Sequence, residues 1–255
     1  MRYLLSLWFS LLLGAAPREI PEELLEAFTL NGQIGVTSYY FDASYPLEHP
    51  LVYDGETVEK FKLAAQMRQI SYYGPTDQFL YEAFDRFRIA VSRGKTVGVI
   101  GSTIPWYEAV VLAYGGKPIA IDYNKIISRH PGIQTRTVAE YDENPELFDT
   151  LVSISSIEHD GLGRYGDPVD PEGDLKAMKK MKKMLKPGGL LFLAVPVGVD
   201  HLYWNAHRIY GSKRLPLLLK GWKQVATFGF DHKQLHSFSE GYHQPVFVLR
   251  AQELQ

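Results

Sequence analysis

Gly101-Ser102, Asp122 and His159 are the residues whose types and positions could do chemistry. Gly101 falls where an apolar run, Thr96–Ile100, gives way to a helix-like stretch, so backbone can approach a ligand closely there. Asp122 closes a second apolar run about 20 residues further on, where a carboxylate can accept hydrogen bonds from ribose hydroxyls. Only one of the expected glycines is present, so the spacing alone leaves two readings open: a nucleoside site, or a plain structural turn. His159 follows a later apolar strand and has Glu158 and Asp160 as neighbours. An imidazole with its ordinary pKa near neutrality suits proton transfer. His232 and His236 share an i,i+4 spacing, but their stretch does not read as a helix and no matched carboxylate motif accompanies them. No metal site is expected.

The elements that must position these residues read clearly around Gly101. A strand over 96–100, a helix over about 105–114, a Gly115-Gly116 stop and a strand ending at Asp122 predict a parallel βαβ unit with a right-handed crossover. In such sheets small ligands bind in the crevice at the carboxyl ends of the strands. Upstream, residues 17–30 predict a short acidic helix, and residues 31–55 an irregular loop rich in Tyr, Pro, Gly and Asp. Helices are expected near 56–69 and 76–92, the second with Phe79, Leu80, Phe84 and Phe87 at helical spacing. Residues 17–92 thus read as a helical prefix, or cap, to a core spanning 93–255. Within the core a third strand is expected over 135–139, an acidic turn over 140–145 and a fourth strand over 150–154. Asp170 and Pro171 suit the start of a helix that ends at Lys186-Pro187-Gly188-Gly189. Leu190–Val197 reads as a central buried strand. Strands near 223–228 and 245–251 predict an antiparallel pair at the sheet edge, with 199–222 irregular or partly helical.

Composition narrows the function classes. The 255 residues are 45% hydrophobic, enough for one good core. A net charge of −2 gives no electrostatic case for nucleic acid as a partner. With no cysteine, disulfides, thiol nucleophiles and cysteine zinc sites are excluded. Residues 1–16 differ in kind from the rest: Arg2, then an almost unbroken apolar run from Tyr3 to Gly14, then Ala15-Ala16. That length fits a signal peptide or an uncleaved anchor and falls short of a comfortable membrane span. Secretory localisation, with possible membrane attachment through residues 3–16, is the expectation; a cytoplasmic chain is the alternative.

The order of strand, turn, helix and acid, then Phe148–His159, then Leu185-Lys186-Pro187-Gly188-Gly189 before an apolar strand, resembles the class I S-adenosylmethionine-dependent methyltransferases. More narrowly, Gly101-Ser102 with Pro105-Trp106-Tyr107-Glu108, Asp122-Tyr123 and His207-Arg208-Ile209-Tyr210-Gly211 resemble an uncharacterised methyltransferase-like domain family of unknown function. The resemblance implies an α/β fold with a doubly wound, mostly parallel Rossmann-like sheet. It implies S-adenosylmethionine as cofactor, with Gly101 and Ser102 at its methionine part, Asp122 on the ribose and Tyr123 packed on the adenine. Glu140 or Asp142 would hold the adenine amino group, and Ser155 and Ser156 would border the path of the methyl group. His159 is then the first choice for a catalytic base, taking the proton of a small-molecule, glycan or lipid-like acceptor. The sequence departs from the family at Val99, where an acid is usual, and at Thr103 and Pro105, where glycines are usual. Glu108, one helical turn on, could substitute for the missing acid. A catalytically inactive binding or scaffold protein of the same fold is the alternative. A nicotinamide-dependent oxidoreductase is disfavoured because a pyrophosphate needs the absent glycines.

Overall fold

The computed structural model of the chain describes residues 16–41, 49–238 and 243–252. The expected leader therefore lies outside the described residues except for Ala16. The chain begins with α1 (Glu22–Phe28), β1 (Gly35–Ser38), β2 (Leu51–Tyr53), α2 (Gly55–Gln66), α3 (Pro75–Arg86) and α4 (Arg88–Val91). Next come β3 (Thr96–Ile100), α5 (Trp106–Tyr114), β4 (Lys117–Asp122), β5 (Ile126–Ser128), β6 (Gln134–Thr137), α6 (Val138–Glu143) and β7 (Phe148–Ile154). The C-terminal third holds α7 (Gly173–Met184), β8 (Leu185–Ala194), β9 (His201–Trp204), β10 (His207–Ile209), α8 (Arg214–Leu218), β11 (Trp222–Phe228) and β12 (Val246–Ala251).

Seven strands of the described residues form the main sheet in the order β6, β4, β3, β7, β8, β12, β11. The first five are mutually parallel; β12 runs antiparallel to β8, and β11 antiparallel to β12 at the edge. Strand alternation sends side chains to two cores. Leu190, Phe192 and Ala194 of β8 pack with Leu80 and Phe84 of α3 and Val110 of α5. Leu191 and Leu193 pack on the other face with Met178 and Met181 of α7 and Leu218 of α8. Helices on both faces make this the doubly wound, mostly parallel α/β sheet expected from the sequence, closed by its antiparallel pair.

The structure corrects several local expectations. Residues 31–55 contain two strands: β1 pairs in parallel with β9, and β2 in parallel with β5. Neither carries a periodic signal, because each is held by a partner from a distant part of the chain. The acidic turn after β6 is the helix α6, started by a reciprocal capping box between Thr137 and Glu140. Helix α7 begins at Gly173, with Asp170 closing the preceding turn by accepting from the Glu172 amide at 3.0 Å. The stretch after β8 holds the antiparallel pair β9–β10 and α8, more ordered than its pattern suggested.

A buried ion cluster ties α7 to the C-terminal region. Arg214 donates to the Asp174 carboxylate at 2.6 and 2.9 Å, and the Tyr210 hydroxyl donates to it at 2.9 Å. Burial opposes the charge on Asp174, but Arg208 and Arg214 outweigh burial and hold its carboxyl below the usual range. A pKa lowered in the folded state stabilises above the ordinary carboxylate pKa, and that stability is lost as pH falls through the folded value. Asp174→Asn leaves two buried guanidinium groups undercompensated. It should lower unfolding free energy by about 3–5 kcal/mol at neutral pH, read as a shifted denaturant midpoint, with a smaller deficit in acid.

Candidate functional site

A cavity of about 290 Å³ opens at the carboxyl ends of β3, β4 and β7. Its floor is the turn after β3. Gly101 has a φ of +67°, and its amide donates to the Ile121 carbonyl at 2.9 Å. A Cβ there would lie 1.9 Å from the Ser156 hydroxyl, so glycine lets the turn press against the end of β7. Sequence reasoning assigned that closeness to a ligand; the chain itself occupies it. Ser102 donates from its hydroxyl to Glu108 Oε2 at 3.0 Å, and the Tyr53 hydroxyl donates to the Ser102 carbonyl at 2.6 Å. Glu108 is fully buried beneath the turn, where desolvation lifts its carboxyl to about 7. It braces the turn from below rather than lining the cavity.

Asp122 and Tyr123 line the same cavity. Asp122 accepts from the Asn124 amide at 2.7 Å, and burial raises its pKa. Burial also raises the Tyr123 phenol, with Asp160 the first of four carboxylates that add to the effect. Asp142 is elsewhere: it sits exposed on α6 and pairs with Lys180 at 2.6 Å, so it is not brought to the cavity.

The wall opposite is aromatic. Tyr72, Tyr73 and Tyr107 line the cavity, and one buried carboxylate positions all three. Asp77 Oδ2 accepts from the amides of Ser71, Tyr72 and Tyr73 at 3.0, 2.8 and 3.3 Å. Its Oδ1 accepts from Trp106 Nε1 at 3.1 Å and from the Tyr107 hydroxyl at 3.3 Å. Sequence reasoning missed Asp77, which reads as an ordinary first-turn acid of α3. The one available signal is a Gly-Pro-Thr-Asp helix start following a tyrosine pair.

At the mouth of β7, Ser155 adopts a φ of +49° and donates to Glu158 Oε1 at 2.8 Å, while Gln244 Nε2 donates to Ser155 at 3.0 Å. Glu158 is buried, and desolvation lifts its carboxyl to about 7. His159 lines the cavity with Ser155. Its Nδ1 faces the Ala206 carbonyl, which can only accept, so Nδ1 carries the proton and Nε2 is the acceptor. Burial, reinforced by Arg164, lowers the imidazole to about 3. His159 is therefore neutral across the physiological range, and its ordinary pKa, the reason for choosing it as a base, does not survive folding. The Glu158 carboxyl, 3.7 Å from His159 Nε2, is the stronger proton acceptor of the two. Arg208, from the His207–Gly211 motif, is structural: it donates to the carbonyls of Asp160 at 2.6 Å and Glu158 at 3.3 Å, fixing the loop that carries His159.

Fold and cavity together define a doubly wound α/β protein of the Rossmann-like class, with a mostly parallel sheet and a cavity at its carboxyl strand ends. Residues 94–248 match the model of a family described as Caenorhabditis protein of unknown function, DUF268, and the chain belongs to that family. No curated protein matches it. Solved structures similar to it include the 1,6-didemethyltoxoflavin-N1-methyltransferase of Burkholderia thailandensis, at 18% identity and a TM-score of 0.47 over 84% of this chain and 99% of that one. The N-methyltransferase NodS of Bradyrhizobium japonicum gives 16% identity and 0.44 over 71% and 98%. The CcbJ methyltransferase of Streptomyces caelestis gives 12% and 0.43 over 70% and 91%.

Burial raises the carboxyls of both Glu108 and Glu158, which sets a pH dependence of stability. A carboxyl raised from 4.5 to about 7 contributes stability that is full below 4.5 and lost as pH rises through about 7. Each group contributes a slope of up to about 1.4 kcal/mol per pH unit in that window. Glu108→Gln should flatten the fall in denaturation midpoint between pH 5 and 7; an unchanged profile would show that Glu108 is ionised in the folded state.

Proposed function

We propose that the chain is an S-adenosylmethionine-dependent methyltransferase. The observation that carries the reading is the convergence of the Gly101-Ser102 turn, Asp122 and Tyr123 on one cavity of about 290 Å³, near the size usual for small ligands. The residues fit the cofactor: Asp122 has lone pairs left for ribose hydroxyls, Tyr123 offers a face for the adenine, and the tyrosine wall suits a cation. With Asp142 turned outward, Asp160, a lining carboxylate whose charge reaches Tyr123, takes over as the candidate partner of the adenine amino group. When bound, the cofactor supplies a methyl carbon made electrophilic by its sulfonium.

Methyl transfer of this kind is an in-line displacement, so orientation supplies most of the acceleration. The chain's own part is to hold the acceptor and take its proton. An acceptor hydroxyl or amine at the mouth of β7 meets the Ser155 hydroxyl, already hydrogen-bonded to Glu158, whose carboxyl near 7 can hold a proton at neutral pH. His159 orients the acceptor through its neutral Nε2 instead of storing the proton. The acceptor class is a small molecule, glycan or lipid-like compound, not nucleic acid. The apolar leader is the support for a secretory location.

A second reading, a non-catalytic binding or scaffold protein of the same fold, draws on Val99. That residue is buried where an acid would otherwise meet the cofactor. Calorimetric titration of the full chain with S-adenosylmethionine and S-adenosylhomocysteine separates the two. The enzyme reading expects stoichiometric binding of both, weakened at least about tenfold, roughly 1.4 kcal/mol, by Asp122→Asn. Absence of heat with either ligand would leave the scaffold.

A further inference from the structure

Ala16, the last residue of the apolar leader, packs close to the cavity. Ala16 packs against Gly163, where an added Cβ would come within 2.6 Å of its own. The Tyr40 hydroxyl donates to the Ala16 carbonyl at 2.8 Å, and Trp204 Nε1 donates to the Pro17 carbonyl at 3.1 Å. Gly163 lies two residues before Tyr165, which lines the cavity.

The strap that follows α1, from β1 to Phe41, turns Val36, Tyr39 and Phe41 outward. Strand β1 is exposed along its whole length, and beyond it Tyr39 is 54% and Phe41 44% exposed, their rings 5.3 Å apart. These rings are held out by the backbone. Phe41 exchanges two hydrogen bonds of 2.7 Å with the buried Asn205 side chain. Its ring lies 5.0 Å from the Arg164 guanidinium, which is 5.1 Å from the Tyr165 ring and donates to the Ala206 carbonyl that also holds His159. Phe41, Arg164 and Tyr165 therefore make a rim joining the strap to the cavity.

From this placement we propose that the strap face carrying Tyr39 and Phe41 seats on a lipid bilayer, with the cavity mouth opening at that surface. The occupant follows from the chain outside the described residues. A run of about a dozen apolar residues ends at Ala16, too short to span comfortably and suited to burial in the interfacial zone. Exposed aromatic rings beside it belong at the headgroup level. The membrane surface does not depend on methyl transfer. Its corollary, resting on the methyltransferase reading, is that the acceptor is held in or on the membrane, so lipid-like compounds lead the acceptor classes.

The natural chain has no cysteine, which permits a clean test. Tyr39→Cys and, in a separate full-length chain, Ile89→Cys are labelled with nitrobenzoxadiazole and mixed with phosphatidylcholine vesicles. Ile89 is 82% exposed on α4, whose Ala90 carbonyl accepts from Thr150 near the start of β7, so it marks the opposite end of the sheet. The expected result is a blue shift and at least a doubling of emission at position 39, with no change at 89. No change at either position, equal changes at both, or a change at 89 alone would overturn the proposal. So would a shift at 39 that appears without vesicles as protein concentration rises, which would assign the face to a second copy. Cofactor titration without vesicles is a separate measurement, so failure of one leaves the other standing.

Discussion

The Asp77 carboxylate is the constraint on which the cavity depends. A carboxylate this deeply buried is costly unless its lone pairs are filled, and here five donors fill them. Three of those donors are consecutive backbone amides, so solvating the charge also fixes the path of residues 71–73. The other two come from Trp106 and Tyr107, at the start of α5, whose strand supplies Gly101. One group thus couples the loop before α3 to the helix behind the turn. A tyrosine wall facing the ends of the strands is the geometric consequence.

The same device recurs around the site. Asp200 accepts from the amides of Gly211, Lys213 and Arg214 at 2.8–2.9 Å and sets the start of α8. Asp167 Oδ2 accepts from the amides of Gly161 and Gly163 at 2.7 and 3.2 Å, shaping the loop between β7 and α7. Arg208 answers with the opposite sign, donating to carbonyls of that loop. Loops at the carboxyl end of a parallel sheet receive few ladder hydrogen bonds, so buried side-chain charges take over the work of satisfying their backbone. Order in the site comes from these charges more than from apolar packing.

That division explains what could be read in advance. The unit β3–α5–β4 is written in local apolar runs and a Gly-Gly stop, and Asp122 falls at its end, so a short window suffices. The edge pair β11–β12 was legible for the same reason. Strands β1 and β2 were not, because their pairing partners stand more than 160 and about 75 residues away and their own patterns are neutral. Asp142 shows a subtler limit. Its position after β6 is readable along the chain, but the phase of α6, set by the Thr137–Glu140 capping box, turns it outward to Lys180 of α7, a partner 38 residues away that spacing does not reveal. His159 lines the cavity, but its lowered pKa is not readable from the chain: burial is set by the whole fold, and although Arg164 is only five residues on, the loop that brings it close is fixed by Asp167 and Arg208.

The sign of the cavity bears on which ligand it suits. Lys176 and Lys180 line it, but each is already paired, with Asp170 and Asp142. Asp122 and Asp160 line it with no ion-pair partner among the described residues, and burial raises both. Raised carboxyls of this kind are strained toward neutrality, and a positive ligand relieves them by favouring the ionised form. An anionic pyrophosphate would do the reverse, and it would meet a turn whose Gly101 amide is already committed to Ile121. A sulfonium nucleoside brings one hard requirement, a carboxylate for its ribose, and one soft one, polarizable faces for its cation. Under the reading proposed above, Asp122 and the tyrosine wall supply both kinds of group, and the burial that lowers the His159 imidazole also raises the carboxyls that a cation would relieve.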